Sequence, residues 1–165
     1  MLVRVGSRFE SAIRPARLDD TDFLVTLSER VFRRYSPNPA ALMLRMIRTA
    51  TTCIAVAEVM GDRLGFVVVN VRPLNRPYGP WVNPSLAHLD AIAVQPSARR
   101  GLGRLLLAHA ETTARGRGAV SMSLLTAETN ARARRLFTKA GYQLMLVEPD
   151  AYVDGQRGLT MRKAL

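Results

Sequence analysis

His88 and Asp90 lie two residues apart in the segment 87–94, and this spacing suits the transfer of a proton. An imidazole with an ordinary pKa of about 6.5 beside a carboxylate can accept a proton from an ammonium group. The segment reads AHLDAIAV, which predicts a strand, and strand alternation puts these two side chains on one face with Ile92 and Val94. We identify His88 as a candidate proton acceptor assisted by Asp90. A histidine that only packs or lies at the surface is the open alternative.

A glycine-rich turn follows that strand and opens a helix. It reads Arg99-Arg100-Gly101-Leu102-Gly103-Arg104. The backbone N–H groups and the positive end of the helix dipole can hold an anion there, and the arginines add charge and paired donors. A phosphate or pyrophosphate is the expected ligand. The alternative interpretation is a solvated turn in which the glycines only permit the backbone geometry. The turn has neither the Gly-Lys-Ser/Thr of a Walker loop nor the third glycine of a dinucleotide fold.

Helical and strand periodicities position these residues. Asp19 or Asp20 could cap the first helix, and Asn38 with Pro39 marks the start of the second. The pattern predicts helices over residues 20–34, 39–48, 102–114 and 130–141, and strands over 53–60, 64–71, 87–94, 119–126, 142–147 and 159–163. A proline-rich loop spans 72–85. This order favours one α/β domain covering residues 1–165, with a mixed sheet and helices on both of its faces.

Composition excludes several classes of protein. The chain of 165 residues is 48% hydrophobic and 22% charged, which excludes collagen-like and disordered chains. The net charge of +11 favours anionic partners, and all but two of the basic residues are arginines. With one cysteine, Cys53, we expect no intramolecular disulfide and no cysteine-based metal site. The lack of a signal peptide or long apolar run leads us to expect a cytoplasmic protein without a membrane partner.

The chain resembles the GNAT superfamily of acyl-CoA-dependent N-acetyltransferases. The resemblance lies in LDAIAVQP (89–96) leading into RRGLGRLLL (99–107), and in Asn130-x-x-Ala133-x-x-Leu136-Phe137-x-x-x-Gly141-Tyr142. The opening IRPARLDDTDFLVTLSERVF and the closing GLTMRKAL also look like that family's first and last strands, so the resemblance covers residues 13–165. It implies a GNAT-like α/β fold: a mixed, mainly antiparallel central sheet with helices on both faces and a splayed strand pair for acyl-CoA.

The resemblance also implies which residues bind acetyl-CoA. The backbone of the strand before the turn would pair with the pantetheine arm, and the amides of the turn would hold the pyrophosphate. Asn130 would meet the pantetheine or the substrate, and a plain helix cap is its alternative role. The residues implied in cofactor binding are Ile92, Ala93, Val94, Arg99, Arg100, Gly101, Leu102, Gly103, Arg104, Asn130 and Phe137. His88 is similarly placed to a catalytic histidine of arylalkylamine N-acetyltransferases, and no metal is expected.

The sequence departs from the family pattern at two positions. Ala98 stands where relatives usually carry Gln or Arg, and the turn is one residue shorter than the common form. Phe137 stands where many relatives carry a tyrosine that protonates the departing CoA thiolate, and a phenyl ring cannot donate a proton. The alternative donors are Tyr35, Tyr142, Tyr152 or water. For Tyr142 a packing role in the core is favoured. His109 is interpreted as a structural or solvent-exposed histidine without a catalytic role.

The resulting prediction is transfer of an acetyl group from acetyl-CoA to a primary amine by direct attack in a ternary complex. The loop 72–85, with Tyr78 and Trp81, could close over the amine. Two other classes remain: an acyl-CoA-binding sensor without catalysis, as Phe137 suggests, and a basic nucleic-acid-binding protein. We expect nucleic acid to bind only nonspecifically. The sequence leaves open the identity of the amine and the formation of a homodimer.

Overall fold

Four helices and eight strands make up the fold of the computed structural model, which describes residues 2–4, 10–98 and 101–165. The helices are α1 (Thr21–Phe32), α2 (Pro39–Ile47), α3 (Leu102–Gly116) and α4 (Ala131–Lys139). The strands are β1 (Leu2–Arg4), β2 (Glu10–Pro15), β3 (Thr52–Val59), β4 (Asp62–Pro73), β5 (Ser85–Val94), β6 (Ala119–Ala127), β7 (Gln143–Glu148) and β8 (Gly158–Ala164). No helix in these described segments is long and apolar enough to cross a membrane.

The strands form one sheet in the order β1-β2-β3-β4-β5-β6-β8-β7, and only the pair β5 and β6 is parallel. These two central strands separate partway along. β5 pairs with β6 only over residues 85–89, after which residues 91–94 pair with β4 alone while β6 continues against β8. The predicted mixed, mainly antiparallel sheet with a splayed strand pair is confirmed. The opening between β5 and β6 starts at Asp90.

Asp90 is also the extra residue of a β-bulge in β5. Val68 faces Ala91 across the β4–β5 ladder while Val69 faces Leu89, so Asp90 has no partner of its own. A bulge reverses the alternation of the strand beyond it. Ile92 therefore packs in the same core as Leu89, the residue next to His88. The expectation that His88 shares a face with Ile92 and Val94 is wrong, because one inserted residue shifts the period by one position.

The helices cover both faces of the sheet, as the sequence predicted. On one face α3 and α4 enclose the larger core, which includes Leu106, Leu107 and Phe137. On the other face α1 and α2 pack over a smaller core that includes Leu24, Met43 and Phe66. Apolar burial of this kind is the main favourable contribution to folding. Because α3 contacts β5 on one face and α1 contacts it on the other, the strand that carries Asp90 is fixed from both sides.

Local signals predicted most helix ends correctly. Asn38 Oδ1 accepts from the amide of Ala41 at 3.0 Å, and Asn130 Oδ1 accepts from the amide of Ala133 at 3.1 Å, so both asparagines cap their helices. The left-handed φ of 92° at Gly141 ends α4. The first helix is different. Asp20 makes no side-chain hydrogen bond to the first turn of α1, which corrects the expectation that it caps this helix.

Asp20 instead forms a buried ion cluster. Its carboxylate accepts from two nitrogens of Arg14 at 2.7 and 3.0 Å, from the amide of Arg17 at 2.7 Å, and lies 2.7 Å from Nε of Arg63. The side chain of Asp20 is fully buried. The Arg14 hydrogen bond is the largest influence and lowers the pKa of this carboxyl to about 2. The cluster ties β2, the turn before α1 and β4 together.

We expect Asp20→Asn to lower the free energy of unfolding by about 2 kcal/mol at pH 7, since each unit of pKa depression below the usual 3.8 corresponds to about 1.4 kcal/mol. A depressed carboxyl pKa stabilises the fold above the unfolded-state value. That stability is therefore present above pH 4 and is lost as pH falls toward 2, roughly the interval between the two pKa values. Urea titrations of both proteins across this pH range measure the difference.

Asp19→Asn is the matched control, because its carboxylate is exposed and lies 3.3 Å from the same Arg63. An exposed pair of this kind contributes at most about 1 kcal/mol. Equal losses in the two variants, or a pH-independent difference for Asp20→Asn, would contradict the stabilising role of the cluster.

Candidate active site

An arginine-lined cavity of about 670 Å³ lies where β5 ends and α3 begins. Gly101 precedes the first turn of α3 and has a φ of 100°, a left-handed conformation that favours glycine. A Cβ at Gly103 would meet only Leu136 and Val94 at ordinary contact distances, so that position has space beside it. The lining residues are Arg30, Val31, Arg33, Arg34, Tyr35, Ile92, Ala93, Val94, Gly101, Gly103, Arg104, Asn130, Arg132, Ala133 and Leu136.

This cavity has the character of an anion site. The first turn of an α-helix leaves backbone N–H groups without intrahelical acceptors, and here that turn follows Gly101. Five arginines, from α1, the turn after it, α3 and α4, surround the same space. Most predicted cofactor residues come together here. Leu102 contributes no side chain, since it is buried in the core, and Arg99 and Arg100 lie outside the described residues.

A second cavity of about 290 Å³ fills the opening between β5 and β6. Its wall is mainly apolar and comes from the helix pair α1–α2, from both strands and from α4. The lining residues are Ser28, Phe32, Tyr35, Ser36, Pro37, Pro39, Leu42, Met43, Met46, Leu89, Asp90, Ala91, Ile92, Leu124, Leu125, Thr126, Ala127, Asn130, Ala133, Phe137, Ala151 and Tyr152. Asp90 is the one residue with a formal charge in this described lining.

The two cavities meet along the open side of β5. Tyr35, Ile92, Asn130 and Ala133 line both of them. A molecule held in the arginine-lined cavity can therefore present one end to the apolar cavity without leaving its own site. This continuity exists because β6 turns away from β5 at Asp90.

Asp90 faces the apolar cavity in a desolvated position. Burial is the largest influence and raises the pKa of its carboxyl, while the nearby positive charges of His88, Arg72 and Arg45 act in the opposite direction. A carboxylate with a raised pKa is a better proton acceptor than one in water. Asp90 therefore presents a basic group to the apolar cavity.

His88 is placed differently from the sequence-based expectation. It is exposed, and its Nδ1 lies 2.9 Å from Oγ of Ser123, which is opposite it in the β5–β6 register. His88 does not line the apolar cavity in the described structure, whereas Asp90 does. The structure thus brings the two residues near each other but gives the carboxylate direct access to the cavity.

The aromatic side chains separate into two groups. Phe137 lines the apolar cavity and packs edge-to-face on Tyr142 at 5.9 Å. Tyr142 is buried, and burial is the largest influence raising the pKa of its phenol. It lines neither cavity, which supports its packing role. Tyr35 and Tyr152 both line the apolar cavity and pack edge-to-face at 5.7 Å.

Gln156, which was not identified from sequence, connects two segments that contribute residues to the apolar cavity. Its Nε2 donates to the carbonyl of Arg34 at 3.1 Å, and its Oε1 accepts from Thr129 at 2.8 Å. Its carbonyl accepts from the amide of Tyr152 at 3.1 Å. These bonds join the end of α1 to the β7–β8 loop, a contact across 122 positions that no local pattern could indicate.

The proline-rich loop and His109 lie away from the two cavities. Tyr78 stacks on Trp81 with ring centroids 6.3 Å apart, and its hydroxyl accepts from Arg162. Among the described residues, those of the loop 72–85 line neither cavity, so closure over an amine has no support in this arrangement. His109 lies instead beside Cys53 on the far side of α3, where burial lowers its pKa.

Comparisons with known proteins agree with this architecture. The model of the acetyltransferase (GNAT) family matches residues 18–142. Aminoglycoside N(6')-acetyltransferase type 1 of Klebsiella aerogenes is 35% identical over 99 residues, which are 59% of this chain and 62% of the relative. The matched part therefore spans less than two thirds of that relative's length.

Solved structures show the same fold at low sequence identity. NAA60 of Arabidopsis thaliana in complex with acetyl-CoA superposes with a TM-score of 0.79 at 15% identity, covering 94% of this chain and 98% of that one. The ribosomal-protein-S18-alanine N-acetyltransferase of Escherichia coli gives 0.74 at 21% identity, covering 93% of each chain. Because the family match extends over well over half of the 165 residues, this chain belongs to the acetyltransferase (GNAT) family.

Proposed function

We propose that the protein transfers an acetyl group from acetyl-CoA to a primary amine by direct attack within a ternary complex. The observation that carries this proposal is the meeting of two cavities of opposite character at Tyr35, Ile92 and Asn130. A donor with phosphates fits the arginine-lined cavity, and an acceptor fits the apolar one. Holding both reactants at one junction removes the entropic penalty of a bimolecular encounter.

Acetyl-CoA is proposed to bind along β5. Its pyrophosphate lies at the first turn of α3, where helix amides and arginines favour an anion. The pantetheine arm pairs with the open backbone edge of residues 92–94, in the manner of an added strand. The thioester then reaches the junction, and a backbone N–H near Val94 stabilises the oxyanion.

The reaction needs one proton acceptor and one proton donor. Asp90 takes a proton from the bound ammonium group, and His88 supports it from the solvent side. The free amine attacks the thioester carbonyl, so a C–N bond forms and the C–S bond breaks. The attacking nitrogen then loses a second proton, which balances the proton that the thiolate gains. The departing thiolate takes up a proton; its conjugate acid resembles cysteine, with a pKa of about 8.5, which makes it a tolerable leaving group. Tyr35, which lines both cavities, is the proposed donor in place of the tyrosine absent at Phe137.

An acetyl-CoA titration beside an assay of thiol release tests the proposal. We expect acetyl-CoA to raise the melting temperature, because a ligand that binds the folded state stabilises it, and we expect CoA release to depend on an added amine. Binding without release under any amine would favour the sensor alternative. Absence of acetyl-CoA binding, together with tight and sequence-selective nucleic-acid binding at physiological salt, would favour a nucleic-acid-binding protein.

Arg132→Ala should weaken acetyl-CoA binding about tenfold, corresponding to roughly 1.4 kcal/mol for loss of one charge-assisted contact. Arg135→Ala is the matched control, since Arg135 is exposed on the same helix α4 and outside the arginine-lined cavity. Isothermal titration calorimetry at two salt concentrations measures the acetyl-CoA affinity of each variant. We expect the difference between the two variants to be larger at low salt. Equal affinities in the two variants would remove Arg132 from the proposed donor site.

A further inference from the structure

The apolar cavity restricts the chemistry of the acceptor, given the proposed function. Its wall is built from side chains such as Phe32, Leu42 and Met46, and its volume of about 290 Å³ corresponds to roughly ten water molecules. A small apolar body fills such a space and gains free energy from leaving water. A multi-ring aminosugar would place many polar groups against this apolar wall.

Charge points the same way. Asp90 is the one carboxylate in the described lining, so the cavity can neutralise one ammonium group. Around it lie positive groups: Arg72 and Arg45 act on Asp90, and Arg30, Arg33, Arg34, Arg104 and Arg132 line the adjoining cavity. A second or third ammonium group on the acceptor would find no further carboxylate in the described lining, since Glu148, which acts on Tyr152, lies outside it. The charges that act on Asp90 itself are positive, and their repulsion is unfavourable in a partly desolvated site.

Ser28 supplies an independent sign that a molecule binds here. Its side chain lines the cavity and is 1% exposed, yet Oγ has no hydrogen-bond partner among the described residues. Buried hydroxyl groups are almost always hydrogen-bonded, and leaving one unpaired is destabilising. A bound amine or another polar atom of the acceptor would satisfy this hydroxyl.

We propose that the acceptor is a small primary monoamine with an apolar body, rather than a polyamine such as an aminoglycoside. The single carboxylate binds the ammonium group, the apolar wall encloses the body, and Ser28 accepts or donates one further hydrogen bond. This inference separates the chain from its relative, the aminoglycoside N(6')-acetyltransferase type 1 of Klebsiella aerogenes.

Initial rates of CoA release with 2-phenylethylamine and with kanamycin test the inference at saturating acetyl-CoA. We expect kcat/KM to be at least about tenfold higher for 2-phenylethylamine, because its phenyl ring buries apolar surface against the wall whereas kanamycin would place polar groups there. Equal or better use of kanamycin would overturn the inference while leaving the proposed function intact. Lack of acetyl-CoA binding would overturn the proposed function itself, and release with neither amine while acetyl-CoA binds would overturn the inference.

Two variants test the cavity wall directly. Leu42→Glu adds a second carboxylate and should raise KM for 2-phenylethylamine about tenfold while lowering KM for kanamycin. Leu44→Glu is its control, because Leu44 is 36% exposed on the same helix and outside the cavity. Identical behaviour of the two variants would contradict the assignment of this cavity to the acceptor.

Ser28→Ala tests the unpaired hydroxyl. We expect KM for 2-phenylethylamine to rise about fivefold with acetyl-CoA affinity unchanged, which is the usual effect of losing one hydrogen bond of about 1 kcal/mol. The acetyl-CoA-dependent shift in melting temperature verifies that each variant is folded. An unchanged KM would exclude Ser28 from acceptor binding.

Discussion

Replacing Asp90 with asparagine is expected to lower kcat/KM by about 10²- to 10³-fold, the range for loss of a general base. Asparagine keeps the shape of the side chain and its place in the β-bulge, but its amide cannot take a proton from an ammonium group. Acetyl-CoA affinity should be unchanged, since Asp90 does not line the arginine-lined cavity. The kinetic loss therefore reports proton transfer and amine binding rather than donor binding.

The dependence of kcat/KM on pH distinguishes a proton-accepting Asp90 from one with only a structural role. Below the raised pKa of Asp90 the carboxyl is protonated and cannot accept a proton, so kcat/KM of the unmodified protein should fall as pH falls, and Asp90→Asn should lose this limb. The same raised pKa means that the ionised carboxylate opposes folding at higher pH. Asp90→Asn should thus melt no lower than the parent protein at pH 7.

His88 provides the comparison for this prediction. Because His88 is exposed and bonded to Ser123, we expect His88→Gln to reduce kcat/KM less than Asp90→Asn does. A loss of about 10²-fold in His88→Gln, with Asp90→Asn close to the parent protein, would instead assign the proton acceptor to the histidine, as strand alternation first indicated.

Local patterns were sufficient for most of the fold. Alternating and helical apolar residues marked each element from α1 to β8, and Asn130 and Gly141 marked the two ends of α4. These signals act over a few residues, where hydrogen bonding and backbone freedom decide the structure. Asp20 shows their limit, because contacts with Arg14 and Arg63 from other strands displaced its local capping role.

The site was predictable in part for the same reason. The glycine turn is a continuous segment, so its position beside a helix start followed from sequence. The bulge at Asp90 depends on pairing with Val68 and Val69 of β4 and has no signature within AHLDAIAV itself. The apolar cavity likewise joins α2, β6 and the β7–β8 loop, which only the tertiary fold brings together.

The part of the apolar cavity wall formed by Tyr35 and Tyr152 shows how these distant segments combine. Tyr35 comes from the end of α1 and Tyr152 from the loop before β8, and their rings pack edge-to-face while Gln156 bonds the two segments together. Tyr152 lines the apolar cavity alone, and burial is the largest influence raising the pKa of its phenol to about 12. Of this pair only Tyr35 also lines the arginine-lined cavity, so it lies at the junction where the thiolate of CoA would leave.

Tyr35→Phe is therefore expected to lower kcat by about 10²-fold, the lower end of the range for general acid–base catalysis, and Tyr152→Phe to change it much less. Each variant loses one hydroxyl and keeps the contact between the two rings. The variants therefore differ mainly in whether the lost hydroxyl lay at the junction of the two cavities. An acyl donor with a more acidic thiol should restore much of the activity of Tyr35→Phe, because a better leaving group has less need of a donor. Single-turnover rates with both donors measure this rescue. Equal losses in the two variants, or no rescue, would show that Tyr35 acts through packing and that water protonates the thiolate.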